Sequence, residues 1–145
     1  MNDQACPLPT PPTPEEKAAM GRMLAGKRIA VVGLSDDPSR PSYEVAEYLA
    51  SIGLEIVPVN PKCDRVMGKK CHPTLGDVPG RIDVVDVFRR PEYCPDVVRD
   101  AIAAGAGGVW LQSGIRSPEA KRLAREAGLD YIEDRCLKVE HWNRR

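Results

Sequence analysis

The chain has 145 residues, and 21 lysines and arginines balance 21 aspartates and glutamates. That length suits one compact domain with a core of its own, and zero formal charge without a basic run excludes the electrostatic footprint of a general nucleic-acid binder. No apolar run is long enough for a membrane span, no basic-then-apolar start marks a secretory signal, and five irregularly spaced cysteines (Cys6, Cys63, Cys71, Cys94, Cys136) point to reduced thiols of a cytoplasmic protein rather than a disulfide framework or zinc site.

Residues 1–14 carry Pro7, Pro9, Pro11, Pro12 and Pro14. Fixed φ angles and missing N–H donors at that density exclude helix and central strand, so an extended tail is expected, with the domain proper over residues 15–145. Thr13-Pro14-Glu15-Glu16 then reads as a helix start, with a threonine cap, proline at the first position and acids in the first turn. This helix runs through Met20 and Met23 to about Leu24. Arg28 to Val32 is the first core strand, followed by a loop opening at Gly33. The next helix begins near Ser42 and presents Val45, Ala46, Leu49 and Ile52 on one apolar face, with Gly53 suited to its end. Leu54 to Val59 is a second strand, and strand, helix and strand together make a βαβ unit with a right-handed crossover.

Farther along, Val66-Met67 and Lys70-Cys71-His72 suggest short edge pairing, and Leu75 to Val78 suggests a helical turn. Ile82 to Phe88 is apolar enough for a strand buried on both faces. Pro91 or Pro95 opens a helix through Val97, Val98, Ala101 and Ile102 that closes at Gly105. Gly108 to Gln112 is a strand, Ser117-Pro118-Glu119 starts a helix to Ala127-Gly128, and Leu129 to Glu133 is the last strand. The alternation predicts an α/β fold: a Rossmann-like, doubly wound, mostly parallel sheet in a single domain.

In such sheets the ligand sits beyond the carboxyl ends of the strands, at the point where strand order reverses. The polar or glycine-rich tips there are Gly33-Leu34-Ser35, Asn60-Pro61-Lys62, Val87-Phe88-Arg89-Arg90, Gln112-Ser113-Gly114 and Asp134-Arg135-Cys136. The first departs from the dinucleotide fingerprint Gly-x-Gly-x-x-Gly, since it reads Gly33-x-Ser35-x-x-Pro38. A strand, a glycine turn and a helix N-terminus still form a phosphate-binding corner, where unpaired N–H groups and the helix dipole favour an anion. Arg40 and Ser42 stand beside it. At the second tip an NAD site would place an acid for the ribose hydroxyls, whereas this chain offers Lys62 and then Arg65. Cations favour an additional ribose phosphate, as on NADP(H) or coenzyme A, and make plain NAD the least suitable of the three.

Five stretches in order, Gly33-Leu-Ser-Asp-Asp-Pro-Ser-Arg-Pro-Ser-Tyr43, Val57-Pro-Val-Asn-Pro61, Asp83-Val-Val-Asp-Val-Phe-Arg-Arg90, Val109-Trp-Leu-Gln112 and Asp134-Arg-Cys136, resemble the small bacterial CoA-binding proteins. These in turn resemble the CoA-binding domain of the succinyl-CoA synthetase α subunit. The resemblance covers about residues 20–142 and implies a Rossmann-like fold that binds coenzyme A or an acyl-CoA. It implies that Gly33, Ser35 and Arg40 line the diphosphate, that Asn60, Pro61 and Lys62 sit near the adenosine and its 3′-phosphate, and that Val87, Phe88 and Arg89 flank the nucleotide or pantetheine. Leu34, Ser42 and Gln112 complete the candidate set by their positions at the same tips.

No catalytic constellation emerges. The synthetase resemblance implies a phosphorylated histidine in a further domain, and His72 and His141 match neither that site nor a nucleophile–base pair. His141, beside Trp142, reads as a surface or packing residue. Asp83 and Asp86 are separated by two residues on one strand and so face opposite sides, which rules out a paired acid–base role. Cys136, next to Arg135, is a candidate reactive thiol or mixed-disulfide partner for CoA, against the plainer reading of a half-buried structural cysteine. The expected function is therefore CoA binding without evident turnover. The alternatives are an NADP-dependent oxidoreductase, for which Tyr43 is the nearest proton donor, and an acyl-CoA-sensing module acting through the Pro-rich tail on a partner that no residue names.

Overall fold

A computed structural model describes residues 11–144, so most of the expected Pro-rich tail lies outside the described residues. The first helix, α1 (Pro14–Leu24), starts where the sequence places it. Thr13 Oγ1 accepts the Glu16 N–H at 3.1 Å and Glu16 Oε1 accepts the Thr13 N–H at 2.9 Å, which satisfies two donors that a helix start leaves open. Strand β1 (Arg28–Val32), helix α2 (Pro41–Ser51) and strand β2 (Glu55–Val59) follow as the βαβ unit.

The intervening segment forms a two-residue-strand hairpin, β3 (Arg65–Val66) with β4 (Lys69–Lys70), turned by Met67 and Gly68 at positive φ. His72 then makes a parallel bridge to Val59, and Leu75–Asp77 is one 3-10 turn. Strand β5 (Val84–Val87), helix α3 (Cys94–Ala103), strand β6 (Gly108–Leu111), helix α4 (Pro118–Glu126) and strand β7 (Asp130–Ile132) complete the alternation. Both prolines considered for the start of α3 are used, Pro91 to open a 3-10 turn over Pro91–Tyr93 and Pro95 in the first turn of the helix proper. A final helix, α5 (Leu137–Asn143), has no counterpart in the sequence expectations. No helix among the described residues is long and apolar enough to cross a membrane.

The main sheet is wholly parallel in the order β2-β1-β5-β6-β7. Strand order reverses between β1 and β5, and their carboxyl ends mark the expected ligand position. Side chains alternate across the sheet with period two. Ile29, Val31, Ile56, Val84, Trp110 and Ile132 join Met20, Met23, Leu49 and Leu137 under α1, α2 and α5. Ala30, Val32, Val85, Val87, Val109 and Leu111 join Val97, Val98, Ala120 and Ala124 under α3 and α4. Trp110 is fully buried, and its indole N–H finds the Arg135 carbonyl oxygen at 2.8 Å, so the largest side chain in the core leaves no donor unpaired.

Candidate functional site

Gly33 ends β1 at φ +87° and donates its N–H to the Val59 carbonyl oxygen at 2.8 Å. A Cβ here would overlap the carbonyl oxygen of Phe88, so only glycine lets the exits of β1, β2 and β5 converge. The loop beyond is fastened to the helix it precedes. Ser35 N donates to Ser42 Oγ at 3.0 Å, and Asp37 N donates to Ser35 Oγ at 3.0 Å. Asp37 Oδ1 accepts from Ser39 N at 3.0 Å and from Ser39 Oγ at 2.8 Å, and these bonds, aided by nearby Arg40, hold its carboxyl below the usual carboxylate range. Arg40 is the N-cap residue of α2 and Pro41 its first residue, without a side-chain cap on the helix N–H groups.

The β2 tip is braced equally. Asn60 Nδ2 donates to the Leu34 carbonyl oxygen at 3.0 Å, and Asn60 Oδ1 accepts the Lys62 N–H at 2.9 Å. The Asn60 backbone N–H reaches the His72 carbonyl oxygen at 2.9 Å. Asn60 therefore ties the first loop to the second, and its amide is committed to holding the site's shape.

Between these tips lies a cleft of about 670 Å³. Gly33, Ser35, Arg40, Ser42, Asn60, Pro61, Lys62, Phe88 and Arg89 line it, all of them named from the sequence, together with Pro41, Arg90 and Tyr93. Arg40, Lys62, Arg89 and Arg90 bring four cations to one surface, no acidic side chain lines it, and none of the four forms an ion pair among the described residues. The Arg89 guanidinium stands 4.7 Å from the centre of the Tyr93 ring, a cation–π contact that leaves its charge without an acidic partner. Such a cleft is suited to a ligand carrying several negative charges.

Three candidates lie elsewhere. Leu34 and Val87 are fully buried and their side chains belong to the two cores, so any part they take at the site is through their backbone. Gln112 is buried, and its Oε1 accepts the Leu137 N–H at 3.1 Å. It lines a second cavity of about 590 Å³, on the far side of Phe88 and Pro41. Arg90, read as part of the Val87–Arg90 tip but not carried into the candidate set, follows Arg89 there, and Tyr93, which the sequence reading left out, sits four residues after Arg89 on the turn that Pro91 opens.

The remaining tips serve largely to hold one another. Asp134, at φ +58°, accepts the Gly114 N–H at 2.6 Å and pairs with Arg116 at 2.8 Å, which holds its carboxyl below the usual range. Arg135 is buried and pairs with Glu140 at 3.7 Å. Cys136 is a half-buried free thiol at the N-cap of α5 and lines the second cavity. Neither histidine lines either cavity. His141 is half-buried with its Nε2 unpartnered, and burial followed by the Arg144 charge pushes its pKa down, as befits a packing residue. Tyr43 packs against the core and lines neither cavity. Asp83 accepts the N–H groups of Lys27 (2.9 Å) and Arg28 (3.0 Å) at the opposite end of the sheet. Asp86 lies fully buried in β5 without a hydrogen-bond partner, and burial raises its pKa well above the ordinary value.

Comparison with known proteins follows the same outline. The sequence profile of a family described as "CoA binding domain" matches residues 27–142. An uncharacterized Bacillus subtilis protein, YneT, is 44% identical over 115 residues, covering 79% of this chain and 85% of that protein. The ADP-forming acetate–CoA ligase II of Archaeoglobus fulgidus is 29% identical over 115 residues; the match takes in 78% of this chain but only 16% of the ligase. A solved hypothetical protein from Pyrococcus horikoshii superposes with a TM-score of 0.85 at 35% identity, covering 94% of this chain and 98% of that one.

Proposed function

This chain belongs to the CoA-binding domain family, and we propose that its cationic cleft holds the phosphorylated nucleotide end of coenzyme A or an acyl-CoA, without turnover of its own. The observation that carries this reading is the gathering of Arg40, Lys62, Arg89 and Arg90 at the start of α2, free of acidic partners among the described residues. Gly33 and Ser35, with Arg40 and Ser42 on the helix start, face the diphosphate, where helix dipole and guanidinium act together. Pro61 and Lys62 receive the adenosine and its 3′-phosphate, and Asn60 holds their loop in place. Phe88 and Arg89 flank the ligand where it leaves the nucleotide. No histidine or carboxylate lines the cleft. The acetate–CoA ligase is far longer than the matched segment, so its reaction is not assigned to this chain.

A thermal-shift screen of CoA, dephospho-CoA, NAD, NADP and ATP at matched concentrations tests the reading. A ligand present at 100 times its Kd stabilises the folded state by about 2.7 kcal/mol. CoA is expected to raise Tm most and dephospho-CoA distinctly less. A shift with NADP and none with CoA overturns the assignment.

A further inference from the structure

The second cavity is built differently from the first. Val45, Ile115 and Val139 supply apolar walls, while Phe88 and Pro41 separate it from the cationic cleft and line both. Its position follows the sheet: the first cleft lies over the ends of β2, β1 and β5, and the second over the end of β6 and the start of α5. Pro41 follows Arg40 directly and lines both spaces, so an arm leaving a diphosphate at Arg40 meets the second cavity next. The charges lining this cavity are Glu44 and Lys138, and they pair with each other at 3.0 Å. The Lys138 ammonium also stands 5.5 Å from the Tyr48 ring centroid. A carboxylate entering the cavity meets a lysine whose charge Glu44 already offsets and a glutamate that repels it, whereas an aliphatic group meets no such repulsion.

We infer that this cavity takes the thioester end of an acyl-CoA and selects an uncharged aliphatic acyl group, with the Glu44–Lys138 pair excluding dicarboxylic acyl groups. The inference rests on the CoA reading of the first cleft. Calorimetric titration with four ligands separates the two: adenosine 3′,5′-bisphosphate, which can occupy the first cleft alone, and CoA, butyryl-CoA and succinyl-CoA. The unaltered protein should bind butyryl-CoA roughly tenfold more tightly than succinyl-CoA. Ser113→Trp, at an exposed position on the cavity rim, should weaken butyryl-CoA at least tenfold and leave the bisphosphate unchanged. Val139→Trp, also at an exposed position, serves as a second filling variant should the first perturb its turn. Glu44→Gln frees Lys138 and should narrow the butyryl-to-succinyl ratio by roughly 3–10-fold. Alkylation of Cys136, followed by peptide mass, should slow with butyryl-CoA bound and not with the bisphosphate.

If the bisphosphate and CoA both fail to bind, the first reading is wrong. If they bind while both filling variants leave butyryl-CoA unaffected, or succinyl-CoA binds as tightly as butyryl-CoA, the second cavity does not have this role.

Discussion

The two ends of the sheet use the same residue types to opposite effect. At the amino end, Arg28 pairs with Glu55 at 3.0 Å and donates to the Pro79 carbonyl oxygen at 2.7 Å, while Asp83 accepts from Lys27, Arg28 and Arg81. Arg28 with Glu55 and Arg81 with Asp83 are paired within the chain, and the result is a fastening. At the carboxyl end, Arg40, Lys62, Arg89 and Arg90 share a cleft that no acid lines. The polar side chains that do form bonds there, Ser35, Ser42 and Asn60, fix the backbone and leave the cations to solvent. Charge that is satisfied internally holds a fold together, and charge that is left over stays open to a ligand.

The contrast can be broken where the two uses meet, at Gly33. Gly33→Ala puts a Cβ into the Phe88 carbonyl at a positive φ, and should cost roughly 2–5 kcal/mol of stability in denaturant unfolding, with ligand binding lost alongside. Arg40→Ala should separate the two. Loss of a charge-assisted phosphate contact raises the Kd for CoA by roughly 10–100-fold, about 1.5–3 kcal/mol, while Tm of the unliganded protein stays put. Unchanged affinity in calorimetry would remove Arg40 from the site. Asp83→Ala is the mirror image. It strips acceptors from two backbone N–H groups and should cost about 1–2 kcal/mol of stability, with CoA affinity unmoved. A change in affinity there would show that the two ends are not independent.

The smallest effect concerns pH, and the two acids of one segment should pull in opposite directions. Hydrogen bonds from the Arg28 and Lys27 N–H groups hold the Asp83 carboxyl below its ordinary pKa. Its contribution is therefore present above the unfolded value of about 3.9 and lost as pH falls through the folded one. Burial holds Asp86 well above its ordinary value, so between about pH 4 and that higher value the folded state keeps a proton the unfolded chain has released. Stability then declines as pH rises through this window. Asp86→Asn removes the ionisation and should flatten that decline in unfolding curves collected from pH 4 to 8. An unaltered slope would mean that Asp86 does not titrate in this way.

Much of this was legible in the sequence because strands buried on both faces and helices with one apolar face have distinct periods. The Thr13 cap, β1, α2 and β2 emerge within a residue or two of their expected bounds. Helix α5 was not legible, since its seven residues bury chiefly Leu137 and have no side-chain cap, and packing beneath Trp110 and Gln112 rather than local preference sets it. The residues around the cleft were legible as strand tips, but not the direction in which each points. Leu34 and Val87 share tips with Ser35 and Phe88, yet alternation turns their side chains into the cores. Tyr93 required the 3-10 turn that carries it back over Arg89, a tertiary placement with no pattern of its own.

The wall formed by Pro41 and Phe88 has a consequence for how tightly anything binds here. Because both residues line the cleft and the cavity beyond it, a single molecule lying across them is in effect a divalent ligand. Once its phosphates are seated, its other end is presented to the second cavity at an effective concentration on the order of millimolar. Two sites that each hold a fragment weakly can then retain the joined molecule strongly.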